Sequence, residues 1–217
     1  MIRAVLFDFD GVVVQSERLH MDSFLELLSP FGVNVSEERW YREFAGTGSR
    51  SIIERLAKEY NIKTDIGELV EKRKNLYEAK IRKGELRETP GVKAFLETIR
   101  KKGIKTAIVS GSHSSNVALA ISTLGLDGLF DLIVSGDDID IRKPDPGPFL
   151  HAAKKLDMKP SECLVIEDSY AGCESARRAG MRLVVVRSPA SKGLYGFDAI
   201  IDDFSEFPLE MFEHDKA

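Results

Sequence analysis

Cysteine is nearly absent: Cys163 and Cys173 are the only two in 217 residues. No CxxC pair and no Cys/His cluster occurs, so neither a thiolate metal centre nor a disulfide framework is expected. Both stand in apolar surroundings, "SECLVIED" and "AGCESARRAG", and read as buried reduced thiols. Long hydrophobic runs are also missing. None approaches the ~20 residues that cross a bilayer. The opening "MIRAVLFDFDG" runs directly into a strand pattern without signal-peptide architecture, so a cytoplasmic protein with no membrane partner is expected. Excess positive charge is lacking too. Thirty-one Lys and Arg face 35 Asp and Glu, a net charge of −4, which argues against a nucleic-acid surface. No internal repeat or low-complexity tract is visible.

What is present is an alternation. Short apolar runs bounded by turn residues occur at 3–9, 105–111, 131–136, 163–168, 182–187 and 198–203. Most are apolar on both faces, as parallel strands covered by helices are. Helical patterns fall between them at 92–103, 114–125, 146–157 and 169–180. Gly103, Gly125 and Gly180 follow three of these where a left-handed residue ends a helix. Ser169 stands at a helix N-cap. This order predicts an α/β fold with a parallel sheet and right-handed crossovers. One connection breaks the rhythm. About 80 residues separate the first two strands, far more than a single crossover needs. Residues 16–87 read as a helical insert with its own core, and 1–15 with 88–217 as the main domain. Phe24, Leu25, Leu27, Leu28 and Phe31 are expected to form the apolar face of the first insert helix.

The strand ends carry the chemistry. In an open parallel sheet, ligands bind beyond the carboxyl ends of the strands. "VLFDFDGVVV" places Asp8 and Asp10 where the first strand ends, and Gly11 permits a sharp departure. Residues two apart on a strand face one side, so the two carboxylates can converge. Convergent anions need a cation, and hard oxygen ligands suit Mg²⁺. Other strand ends supply Ser110 and the pair Glu167–Asp168, and "IRKPDPGP" supplies Lys143. Serine, lysine, several carboxylates and a divalent metal make a site for a phosphoryl group.

These motifs together resemble the haloacid dehalogenase-like hydrolases, in the branch of phosphatases and β-phosphoglucomutases. "DFDGVVVQSERLH", "VSGS", "RKPDPGPF" and "IEDSYAG" match the four ordered motifs of that family over nearly the whole chain. The resemblance implies a Rossmann-like core with an α-helical cap inserted after the first strand. It implies Asp8 as nucleophile forming an aspartyl-phosphate, Asp10 as acid–base group, and Ser110 and Lys143 as holders of the phosphoryl group. It implies Mg²⁺ on Asp8, Asp168 and the Asp10 carbonyl oxygen, with Glu167 assisting. Candidate substrate contacts are Ser110, Gly111, Ser112 and His113 in the core, and His20, Gly46, Ser49, Arg50 and Lys74 in the cap. Lys72, Arg73 and Lys74 share one helix, so at most two can face a ligand. Lys74 aligns with a lysine that mutases use. The expected activity is Mg²⁺-dependent hydrolysis of a small phosphorylated metabolite, such as a sugar phosphate, by a monomer or small homo-oligomer. The alternatives are a phosphosugar mutase and, with every catalytic position intact, less favourably a silent binding protein. Against the mutase stands His113, where mutases carry lysine.

Overall fold

The computed structural model describes residues 1–45 and 47–212. Its sheet has six parallel strands in the order β3-β2-β1-β4-β5-β6. They are β1 Ala4–Phe7, β2 Lys105–Val109, β3 Leu132–Val134, β4 Cys163–Glu167, β5 Arg182–Val186 and β6 Ala199–Ile201. Every residue of β1 and β4 is buried, because helices cover both faces and neither face meets water. The connecting helices are α5 Val92–Lys101, α6 Ser114–Thr123, α7 Gly147–Lys155 and α8 Tyr170–Arg178. Each is held by an apolar stripe at helical spacing. In α5 it is Val92, Phe95, Leu96 and Ile99, all buried. Phe7 of β1 meets Phe95 edge-on with ring centroids 6.1 Å apart. The opposite face of the sheet packs Leu6, Val165 and Val185 against Phe149 and Cys173.

Register sets what the fold is for. Phe7 lies opposite Ile108 on one side and Ile166 on the other. The Asp8 N–H then donates to the Ile166 carbonyl at 2.9 Å. The next residue along each strand is therefore level: Asp8, Val109 and Glu167. The sequence places Asp8 and Glu167 at strand ends. Pairing puts them side by side.

The chain divides into two compact units, residues 1–15 with 87–217 and residues 16–86. Arg87 belongs with the sheet, where its carbonyl accepts the Gln15 N–H at 2.9 Å. The second unit has four helices, α1 Glu17–Leu28, α2 Glu37–Glu43, α3 Ser49–Glu59 and α4 Ile66–Arg82. Their core is Phe24, Leu28, Trp40, Phe44, Ile53, Leu56 and Leu69. The Trp40 indole N–H donates to Glu17 at 2.5 Å, so its polar atom is not stranded in that core. Ser36 and Asp65 cap α2 and α4, each accepting a backbone N–H from three residues on. Phe31 departs from expectation and is 39% exposed. Helix α1 ends at Leu28, and Ser29–Phe31 forms a 3₁₀ turn, so the α-helical period no longer decides where Phe31 points. Among the described residues, no helix is long and apolar enough to cross a membrane.

Candidate active site

The first strand ends in a tight turn. The Phe9 carbonyl accepts N–H groups from Val13 and Val14 at 2.9 and 3.1 Å, and the Gly11 N–H donates to Val14 at 2.8 Å. Gly11 has φ of 83°, open to glycine at little cost. It also lies against the Asp168 carboxylate, so any side chain there would strike it. The turn sends Asp8 and Asp10 to separate partners. The Asp8 Oδ1 accepts from the Lys143 ammonium at 2.5 Å. The Asp10 Oδ2 accepts from the Ser112 hydroxyl at 2.6 Å.

Lys143 is the hub. Its ammonium also donates to Glu167 Oε1 at 2.6 Å and to the Val109 carbonyl at 2.9 Å. The side chain stands over the Phe149 ring at 4.7 Å. Burial alone would lower its pKa, but the Asp8 and Glu167 carboxylates hold it above the ordinary lysine value. Glu167 is 1% exposed and fully engaged. Its Oε2 accepts from the Asp168 and Ser169 amides at 3.0 and 3.2 Å and from the Ser169 hydroxyl at 3.0 Å. With Lys143 that makes four donors, about the full acceptor capacity of a carboxylate. Gly172 of α8 packs onto Glu167 so tightly that a β-carbon would collide with the carboxylate.

Asp8, Glu167 and Asp168 each offer an oxygen within 4.8 Å of the others. Three carboxylates thus gather at one place, and two of them hold one ammonium. Burial, then the Glu167 charge, pushes the Asp168 pKa up to about 7, although the Ser188 hydroxyl hydrogen-bonds it. Burial likewise raises Asp8 well above the carboxylate range, against the pull of Lys143. Uncompensated buried negative charge on oxygen donors is what a hard divalent cation relieves, so these residues fit one. Asp8 and Asp168 have oxygens to give it, whereas Glu167 is spent on Lys143 and on its own turn.

Ser110 is buried, and its hydroxyl accepts from the Ser112 N–H at 3.0 Å. Gly111 and His113 are exposed. His113 Nδ1 faces Asp137 Oδ1 at 2.7 Å. In the helical unit, Gly46 lies outside the described residues. Arg50 is exposed and pairs with Glu54 one turn along α3 at 3.5 Å. Lys72 is exposed and pairs with Glu68 at 2.6 Å. Lys74 is half-buried. His20 stacks on Tyr77 at 4.3 Å with planes 5° apart, and its Nδ1 contacts the Arg73 guanidinium.

The basic residue taken inside is Arg73, 4% exposed. Its guanidinium lies 4.5 Å from the Phe24 centroid and 4.7 Å from that of Tyr77, and it donates to the Ser49 hydroxyl at 3.3 Å. It was not favoured from the sequence. The signal was there: Leu69, Arg73, Tyr77 and Ile81 recur every four residues on α4, and all four are buried. Two further groups of the core unit also lay outside the sequence reading, Ser188 against Asp168 and Asp137 against His113. The two cysteines are buried and unpaired, and burial raises their thiol pKa values to about 11 and about 12.

Residues 5–186 match the family described as haloacid dehalogenase-like hydrolase. Among curated proteins, a Thermotoga maritima protein named phosphorylated carbohydrates phosphatase is 30% identical, over 84% of this chain and 84% of its own. Protein CbbY of Rhodobacter capsulatus is 30% identical, over 94% of this chain and 90% of its own. Among solved structures, CbbY from Rhodobacter sphaeroides in complex with xylulose-(1,5)bisphosphate superposes with a TM-score of 0.83 at 26% identity. That match covers 96% of this chain and 97% of that one.

Proposed function

This chain belongs to the haloacid dehalogenase-like hydrolases, and from that membership and the site geometry we propose that it is a Mg²⁺-dependent phosphatase of small phosphorylated carbohydrates, acting in the cytoplasm. The observation that carries the reading is the Lys143 ammonium, held between Asp8 and Glu167 beside Asp168 at the carboxyl ends of β1 and β4. Asp8 and Asp168 would hold the metal, with the Asp10 carbonyl oxygen. When bound, the metal supplies charge neutralisation at the phosphoryl oxygens and keeps Asp8 ionised.

This chain's own residues divide the rest of the work. Lys143 and the Ser110 hydroxyl hold the phosphoryl oxygens. An Asp8 carboxylate oxygen attacks phosphorus as the bond to the ester oxygen breaks, giving an aspartyl-phosphate. The Asp10 carboxyl gives its proton to the departing oxygen. The Asp10 carboxylate then takes a proton from water as that water attacks phosphorus, and the bond to Asp8 breaks. Ser112 steadies the ionised form of Asp10 by donating to it. For the helical unit we propose recognition. Buried Arg73 lays its guanidinium against the Phe24 and Tyr77 rings and positions Ser49 and His20 for contact with an anionic group. His113 is the candidate contact on the sheet unit.

The mutase reading uses the same first half and returns the phosphate to the substrate. His113 stands against it, because its Nδ1 is already engaged with Asp137 and an imidazole offers a second phosphate fewer donors than a lysine ammonium. The test is phosphate release from a panel of sugar monophosphates and pentulose bisphosphates, with Mg²⁺ and with chelator. Metal-dependent release of free phosphate is expected. Rapid isomerisation of β-glucose 1-phosphate, given a trace of the 1,6-bisphosphate and yielding little free phosphate, would replace hydrolase with mutase.

A further inference from the structure

Beyond the strand ends, the loop after β2 and the turn after β3 stay zipped together. The Ser110 N–H donates to the Val134 carbonyl at 2.9 Å, and the Gly136 N–H donates to the Ser112 carbonyl at 2.8 Å. Gly136 packs onto the Gly111 carbonyl so closely that a side chain there would collide with backbone. The turn itself is hydrogen-bonded from within. Asp138 Oδ2 accepts from the Ser135 amide and hydroxyl at 2.6 and 2.7 Å. At its far side Arg142 donates to the Gly136 carbonyl at 2.8 Å, one residue before Lys143.

From this turn Asp137 reaches back to the start of α6. One oxygen accepts from the Ser114 amide and hydroxyl, both at 2.8 Å. The other faces His113 at 2.7 Å. The N-cap residue of α6, His113, makes no side-chain cap of its own, so Asp137 caps the helix from outside. The Ser114 donors, then His113, hold its carboxyl down at about 2, so it is an anion over the whole working range. Two residues upstream of Ser114, the Ser112 hydroxyl is aimed at Asp10.

We infer that Asp137 is a positioning residue: by capping α6 it fixes where Ser112 presents its hydroxyl to Asp10, and so sets the acid–base step without touching substrate. This rests on the phosphatase reading. Misplacing a catalytic contact by about 1 Å can cost up to about 100-fold. Read in kcat/KM, which reports the steps only as far as breaking of the ester bond, the loss must fall on proton delivery to the leaving group. It is therefore large for alkyl phosphates, which need that proton, and small for aryl phosphates, which leave without it.

The experiment compares wild type, Asp137→Ala, Asp137→Asn, Ser112→Ala and the double variant on an alkyl and an aryl phosphate, with thermal melts as the folding control. We expect Asp137→Ala to lose roughly 10–100-fold on the alkyl ester and only a few-fold on the aryl ester. Asp137→Asn, which keeps an acceptor for the Ser114 amide, recovers most of it, and it carries the test should the alanine variant fail to fold. In the Ser112→Ala background Asp137→Ala adds little further loss. Equal losses on both esters, or fully additive losses with Ser112→Ala, would reduce Asp137 to a helix cap and overturn the inference. If wild type hydrolyses neither ester, the phosphatase reading fails instead. Hydrogen exchange then reads the brace directly: Asp137→Ala must speed exchange at the Ser112 and Gly136 amides, and unchanged exchange there overturns it.

Discussion

The two units handle buried charge in opposite ways. In the sheet unit, three carboxylates crowd one ammonium at strand ends, and Asp8 and Asp168 are held protonation-prone by burial. Among the described residues of the helical unit, the buried charge is one guanidinium laid against Phe24 and Tyr77 and touching Ser49 and His20. Other ion pairs of that unit, Arg39 with Glu59 and Arg55 with Glu43, are partly exposed, where such contacts contribute little. A crowded anionic cluster is strained until a cation arrives, and the cation and Lys143 can then draw in a phosphoryl group, which suits chemistry. A single cation in an aromatic setting is held in place as it stands, which suits positioning the side chains it touches for recognition. Substitutions in the first unit should therefore abolish turnover, and substitutions in the second should chiefly raise KM.

The sharpest break is Asp8→Asn. The amide keeps the shape but cannot attack phosphorus, so kcat should fall by at least about 10⁴-fold while the melting temperature holds or rises. Steady-state phosphate release with a melt on the same sample checks this.

The next effect is on stability and has a fixed sign. Unfolded, Asp168 ionises near its ordinary 3.8, whereas folded and metal-free it keeps its proton to about 7. Stability is therefore fullest below pH 4 for this group and is lost as pH rises through 7, by on the order of a few kcal/mol. Mg²⁺ should recover that loss, so its stabilisation should be larger at pH 8 than at pH 5. Melts with metal and with chelator across that range are the measurement. A metal effect independent of pH would show that the cluster carries no such strain.

In the helical unit, Arg73→Ala should raise KM by roughly 10–100-fold with a smaller change in kcat, the mark of a lost binding contact. Arg73→Lys should recover only part of it, because an ammonium cannot lie as a planar fork against two rings. A fall in kcat matching that of Asp8→Asn would erase the division of labour between the units. Lys72→Ala and Arg50→Ala, which remove exposed i,i+4 pairs, should leave KM within about twofold. Phe31→Ser should cost no more than about 1–2 kcal/mol, since its ring is 39% exposed and only partly packed.

How much of this was legible in the sequence follows the same division. The sheet unit was readable because parallel strands advertise themselves as short apolar runs, and the residues that end them sit at fixed offsets. Asp8, Ser110 and Glu167 are all one step past a buried run. The strand order was not in the runs, and it is the order, with β1 between β2 and β4, that sets Asp8 level with Glu167. In the helical unit, reading "EKRK" as a basic run hid Arg73, since a run ignores the four-residue ridge from Leu69 to Ile81. Asp137 had no signal of either kind. It lies in an exposed turn with no period, and its partner Ser114 is 23 residues away.

The central claim is that Asp8 becomes covalently bound to the phosphoryl group during turnover. Rapid acid quench with a radiolabelled sugar phosphate, followed by peptide mapping, tests it directly. The account predicts label on the peptide carrying Asp8 during turnover, lost on completion and never seen with Asp8→Asn. Free phosphate released at full rate with no label on that peptide at any time would contradict it.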